Sequence, residues 1–350
     1  MKRVIYTISF AVLAASASAQ VVSSAKFYVS EGAVVSMGQD FQNNGELVNK
    51  GDLHLKKNLI NNGELESTGN VYLDGYGQSQ ELSGSQAIVL NRATVENDVN
   101  LSTSLLIEKE LDFRQGVLNS DENSPLVFAE NASHVGASDF SHAKGTVTKL
   151  SANRFEFPVG DGTNYRGFEA NSAEQGALTS TYHAENTAAL SSDLAQGVER
   201  VNANEYWVLK SSNENDVANV KVSNTYDNNV AYLKKGTWTM AENESLDKNA
   251  GLSRGVVFTT GRGQLIKKDI GIWPNPTQGD FNLKLAGMND SDEVMVDITN
   301  QDGRIVMRKT GKVSELRRVY SLPPGMVTTE LTVRVVHADE VLTEKLILNR

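Results

Sequence analysis

The chain has 350 residues, with 43 acidic and 33 basic side chains, no cysteine and a formal net charge of -10. That balance excludes nucleic-acid binding through a basic face, and the missing thiols exclude a disulfide framework, a thiolate zinc site and a cysteine nucleophile. The length suffices for two or three domains, and residues 270–350 hold 10 Lys/Arg against 11 Asp/Glu, leaving 23 against 32 elsewhere, so no part is a basic arm.

In chain order, Lys2 and Arg3 precede an apolar run from Val4 to Ala15, followed by Ala17-Ser18-Ala19. This is the order of a secretory signal over residues 1–19, with cleavage between Ala19 and Gln20. Its loss removes two cations and leaves an exported chain of net charge -12. No later apolar stretch approaches the roughly 20 residues of a spanning helix, so no transmembrane segment is expected in the mature chain.

Residues 20–150 carry an internal echo. Phe41 to Leu55 realigns 18 residues later with Leu59 to Leu73, and Asn43-Asn44-Gly45-Glu46-Leu47 is repeated as Asn61-Asn62-Gly63-Glu64-Leu65. Short alternating apolar segments separated by Asn-Gly and Gly-Asp corners are strand and turn chemistry. A unit this small cannot bury its own apolar face, whereas stacked units can. The reading is a β-solenoid of about seven coils over residues 27–150, a rod of about 33 Å at the inter-strand spacing, with asparagines at inward corners stacking as a ladder. An antiparallel sandwich of hairpins is the alternative. An open solenoid end would expose strand edges to self-association.

Residues 151–262 change register. Phe155-Glu-Phe-Pro-Val159, Leu178 to Tyr182, Glu205 to Leu209, Val217 to Val222, Val230 to Leu233, Thr237 to Thr239 and Gly255 to Thr260 are strands at 10 to 20-residue spacing, which suggests a β-sandwich. Residues 184–203 read as a loop with one helical turn. Val147-Thr-Lys149, Phe155 to Arg166, Glu205-Tyr-Trp207 and Trp238 together resemble a module of large secreted surface proteins of Gram-negative bacteria with type IX secretion, a resemblance that supports the domain order and says nothing of a catalyst.

A low-hydropathy linker over residues 263–270 leads to alternating strands over residues 271–350, with an Asp302-Gly303 hairpin turn and prolines that keep the start extended. This predicts a small Ig-like β-sandwich, so the whole chain is all-β. Four ordered motifs occur here: Pro274-Asn275-Pro276; Asp302-Gly303-Arg304; Leu322-Pro323-Pro324-Gly325; and Lys345-Leu346-Ile347. Together they resemble the type A C-terminal sorting domain of type IX secretion cargo. The resemblance implies passage through the periplasm and the outer-membrane type IX translocon. A sorting peptidase would then remove the domain, and the product would be attached to surface lipopolysaccharide or released to the medium.

The search for chemistry returns little. His134, Asp139 and His142 lie close in sequence, but an extended chain separates them, and the Ser-x-x-Lys matches at Ser141 and Ser245 lack their partner motifs. Gly160-Asp-Gly-Thr-Asn164 reads as a satisfied turn before it reads as a calcium cradle, and Trp207, Trp238 and Tyr206 as core before a sugar platform. No catalytic residue, metal ligand or cofactor is assigned. The reading is a non-enzymatic secreted surface protein, working by adhesion, matrix or envelope contact. A secreted polysaccharide-binding or polysaccharide-degrading protein is the alternative, since carboxylate pairs need not be close in sequence, and extracellular glycans are then its partners.

Overall fold

The computed structural model describes residues 20–151, 153–222, 229–246, 250–264, 266–327, 329–337 and 340–349. The signal segment expected over residues 1–19, Ala19 included, lies outside them, and Gln20 is the first residue of the first strand.

The 18-residue echo becomes inter-coil register. Phe41 pairs with Leu59, Glu46 with Glu64 and Asp52 with Asn70, all in parallel, which decides for the solenoid over the hairpin sandwich. Each early coil has three short strands, as in Asp40–Asn43, Glu46–Asn49 and Asp52–Leu55. Alternation places Phe41, Leu47, Leu53 and Leu55 inside and turns Gln42, His54 and Glu46 outward. A seven-stranded parallel sheet runs from Gln20–Ser23 to Ser141–Lys144, one strand per coil. From the fourth coil, Ile88–Val95 and Leu105–Phe113 each cover in one strand, with a shift between Leu90 and Arg92, what two strands cover below.

The corners hold the inward asparagines. Asn43 Nδ2 donates to Asn61 Oδ1 (2.9 Å) and to the Glu64 carbonyl (2.8 Å), while its Oδ1 accepts from the Gly45 N–H (3.2 Å). Asn49 does the same one corner on, with Ser67 Oγ, the Asn70 carbonyl and the Gly51 N–H. Asn43, Asn49 and Asn61 are fully buried, and such polar side chains are tolerated inside only when bonded.

The far end of the solenoid is closed by the chain itself. Val147–Lys149, the last coil's strand, pairs antiparallel with Leu178–His183, and that sheet continues through Tyr206–Ser211, Val256–Gly263, Asn229–Lys234 and Thr237–Met240. A second sheet, Phe155–Phe157, Phe168–Ser172, Ala218–Val222 and Ser245–Leu246, covers it, and one apolar cluster runs from Val29 to Phe258. Within residues 184–203 the structure adds a strand, Val198–Val201, to the helical turn Thr187–Ala189. Gly197, at positive φ, turns the chain back there, and Val198–Val201 pairs with Val256–Gly263.

The Phe155 to Arg166 motif is this joint. The Ala143 N–H donates to the Pro158 carbonyl (2.8 Å) and the Gly160 N–H to the Ala143 carbonyl (2.9 Å). The Tyr165 N–H reaches Asp139 Oδ1 (2.7 Å), and the Gly162 N–H reaches His142 Nε2 (3.0 Å). Phe155, Phe157 and Phe168 stack toward Trp207 and Phe258. Lys149 lies under the joint, its ammonium donating to the carbonyls of Ala129, Glu130 and Ala132. Burial holds that ammonium below the usual lysine range.

His134 makes the joint sensitive to acid. Its Nε2 donates to the Glu156 carbonyl (2.7 Å), its Nδ1 is buried without a partner among the described residues, and the rings of Phe113, Phe128 and Phe155 surround it. Burial depresses its pKa, outweighing the Glu156 carbonyl bond and the Glu156 charge, which act the other way. A depressed base gives stability that is complete above the unfolded histidine value near 6.5 and is lost as pH falls below it, until the folded group titrates. Chemical denaturation is therefore expected to show stability falling from this group as pH drops from 7 to 5, with a slope of at most about 1.4 kcal/mol per pH unit. His134→Gln should flatten that component, and equal slopes in both proteins would contradict the assignment.

Candidate functional site

From Asp269 onward the described residues form a separate sandwich around Phe281, Leu283, Val296, Ile298, Val333 and Leu346. Its sheets are Asp269–Trp273, Asp280–Ala286 and Val319–Ser321 on one side, and Ile305–Lys312, Glu293–Thr299, Thr329–His337 and Glu340–Leu348 on the other.

The Pro274-Asn275-Pro276 segment lies along the last strand. Prolines lack the N–H of a regular ladder, and the Asn275 carboxamide supplies the missing pair: Nδ2 donates to the Lys345 carbonyl (2.6 Å) and Oδ1 accepts from the Ile347 N–H (2.8 Å). Thr277 continues the contact in main chain, donating to the Ile347 carbonyl (2.8 Å) and accepting from the Asn349 N–H (2.8 Å). Its buried hydroxyl donates to the Asp280 carbonyl and accepts from the Gly279 N–H.

Asp302, Gly303 and Arg304 form an exposed turn. The Asn300 carbonyl and Oδ1 accept from the Gly303 and Arg304 N–H groups (3.0 and 2.9 Å), and Gly303 takes φ +75°, which an L side chain would strain. The Leu322 N–H donates to the Gly279 carbonyl (2.9 Å), Leu322 is buried, and the chain leaves Pro323 and Pro324 through Gly325 at φ +87°. Lys345 is exposed and ion-paired with Glu330.

Register brings these motifs to one end of the domain. Thr299, the last residue before the Asp302 turn, pairs with Thr332, which pairs with Lys345. Thr329, a few residues beyond Gly325, pairs with Leu348, beside which Asn275 and Thr277 are bonded. Residues 271–349 match the family model described as a secretion system C-terminal sorting domain. This segment is a type IX sorting domain. The chain is thereby type IX secretion cargo, exported to the cell surface or the extracellular space, and its sorting domain engages the type IX machinery. No curated protein matches the chain.

Features of the sorting domain that the motifs do not announce are Thr277 and a buried carboxylate. Asp297 is held by Arg308 through two bonds (2.6 and 2.8 Å) with Arg334 at 3.9 Å. Bidentate bonding by the guanidinium keeps its carboxyl below the usual range against the opposing effect of burial. Its neighbours lie 11 and 37 residues away in sequence, so only the strand register could have revealed them.

Outside the sorting domain, the residues weighed for chemistry are engaged elsewhere. His134, Asp139 and His142 each bond main chain of the joint, and no group of three metal-ligating side chains occurs among the described residues. Asp161 Oδ1 accepts from the Thr163 and Asn164 N–H groups, both at 2.7 Å, as a closed turn. Trp207 and Trp238 are fully buried, their indoles donating to the Arg166 and Ser191 carbonyls. An open groove crosses four coils, lined by residues 24–26, 44–46, 62–65, 86 and 87. It holds Glu46 and Glu64 but no aromatic side chain, and Lys26 neutralises Glu46 at 2.7 Å.

No helix among the described residues is long and apolar enough to cross a membrane.

Proposed function

We propose that the exported part of this chain acts without catalysis, as a contact protein of the cell surface or its surrounding matrix. The observation that supports this is the state of the solenoid's outward side chains, several of which are paired coil to coil. Asn70 bonds Asp52, Arg92 bonds Glu110, Arg114 bonds Glu96 and Asn119 bonds Asn100, at 2.8 to 3.0 Å. Such a surface is suited to broad contact, and although Tyr28, Tyr76 and Phe140 are exposed on the solenoid, none of them lines its open groove, which therefore lacks the aromatic wall that grips a sugar chain.

Maturation follows the sorting domain's route. Residues 264–268 lie between the strand that ends at Gly263 and the one that starts at Asp269, so a cut there leaves both ladders whole. Intact mass of the protein recovered from its native cells should show a product beginning at Gln20 and ending within residues 264–268, with or without an added glycolipid from surface lipopolysaccharide. On a glycan array that product should turn nothing over. Release of sugar fragments would establish the polysaccharide-degrading alternative, and a product still ending at Arg350 would refute the maturation.

A further inference from the structure

We propose that the strand Ile305–Lys312 is the edge by which the sorting domain is captured, and that its partner is an extended acidic segment of the export machinery that pairs beside it as an added strand. The proposal rests on the sorting-domain assignment and is independent of what the solenoid contacts.

Ile305–Lys312 is an outermost strand of its four-stranded sheet, bonded to Glu293–Thr299 on one side. At eight residues it is a long edge, and edge strands template the addition of another chain. The sheet's opposite edge is occupied near its end, where Asn275 and Thr277 bond the strand Glu340–Leu348. In the facing sheet, the edge Val319–Ser321 is only three residues long.

Charge selects the partner. From Gly303 to Ser314 the sequence holds Arg304, Arg308, Lys309 and Lys312 and no carboxylate, inside a chain of net charge -10. The cations fall on both faces of the sheet. Arg308 and Lys312 stand opposite Asp297 and Glu293, whereas Lys309 stands opposite Val296, a core residue. A strand added beside them would have cations flanking its side chains above and below, so acidic residues at alternate positions on either face would be matched. Arg308 is already committed to Asp297, which leaves Arg304, Lys309 and Lys312, all exposed. The strand also starts directly after the Asp302-Gly303-Arg304 turn, so the edge is continuous with the end of the domain where the four motifs meet.

The test uses the full chain. A fluorescein-labelled octapeptide alternating glutamate and valine is titrated against the purified protein, with the lysine-valine counterpart as control. The doubly substituted Lys309→Glu/Lys312→Glu protein is compared with Lys284→Glu/Arg318→Glu, which makes the same change in charge on the facing sheet. The acidic peptide should bind the unsubstituted protein and weaken at least tenfold with Lys309→Glu/Lys312→Glu, while the lysine peptide does not bind. In cells with a type IX system, export of Lys309→Glu/Lys312→Glu should fall at least fivefold, with the melting temperature unchanged and export of the Lys284→Glu/Arg318→Glu control intact. If the charge reversal impairs folding, Lys309→Gln/Lys312→Gln should still give an intermediate loss of both binding and export. Failure of the acidic peptide to bind, full export of Lys309→Glu/Lys312→Glu, or equal losses in the control would overturn the proposal. None of these results bears on the sorting domain as an address, which deletion of residues 271–350 tests separately.

Discussion

Gly63→Ala is expected to destabilise the solenoid by about 3 kcal/mol or more and to lower its melting temperature by about 10 °C. At this corner an added Cβ would lie 2.1 Å from the Gly45 carbonyl oxygen and 2.9 Å from its nitrogen, both backbone atoms of the coil below. The same carbonyl accepts the Glu64 N–H at 2.9 Å, so the methyl can be accommodated only by parting two coils and stretching their ladder. Gly69 meets Gly51 in the same way, also at 2.1 Å, and Gly69→Ala should behave alike. Gly38→Ala is the matched control. A Cβ there has nothing within 4 Å, and a surface change of that kind stays within about 0.5 kcal/mol. Thermal denaturation followed by circular dichroism reads the difference, and equal melting of Gly63→Ala and Gly38→Ala would show that the corners are not close-packed as described.

These glycines also explain why the solenoid was legible in the sequence. A stacked corner permits no side chain, and an inward asparagine is fixed by its partners in the next coil, so both residue types recur at one spacing over Asn43, Gly45, Asn61 and Gly63. Where the chain loosens after Leu73, the register spacing grows from 18 residues to 22 between Val71 and Ala93 and to 25 between Gly116 and Ser141. The merger of two strands into Ile88–Val95 leaves no periodic trace there. The strand Val198–Val201 escaped notice because it is an edge piece with exposed Glu199 and Arg200, which carry no apolar alternation.

The sorting domain was legible for a different reason. Its motifs are turns and an edge clasp, built from Pro, Asn and Gly, whose conformational demands are local and therefore visible in a single sequence. Their meeting at one end was not visible. It depends on the pairing of Thr299 with Thr332 and of Thr332 with Lys345, and long-range register is written in no short motif. The same holds for Asp297 with Arg308 and Arg334, where a charged residue in an alternating strand reads as an ordinary outward position until its cross-strand neighbours are known.

Removal of the sorting domain should abolish export while leaving the rest folded. The apolar cluster running from Val29 to Phe258 and the one running from Ile270 to Leu348 share no member. Ion pairs at the linker, Lys267 with Glu242 and Lys268 with Glu340, have side chains a quarter to two-thirds exposed, and pairs of that kind contribute at most about 1 kcal/mol each. Neither cluster therefore depends on the other, and calorimetry of the full chain should resolve two transitions. A chain ending at Lys268 should keep the larger one within about 2 °C, since the Val256–Gly263 ladder remains complete. Expressed with residues 1–19 in place in cells that have a type IX system, that shortened chain should accumulate folded inside the outer membrane, and none should reach the surface or medium. A single cooperative transition, or loss of the larger one on truncation, would show that the two cores are coupled. Undiminished export of the folded fragment would place the address elsewhere in the chain.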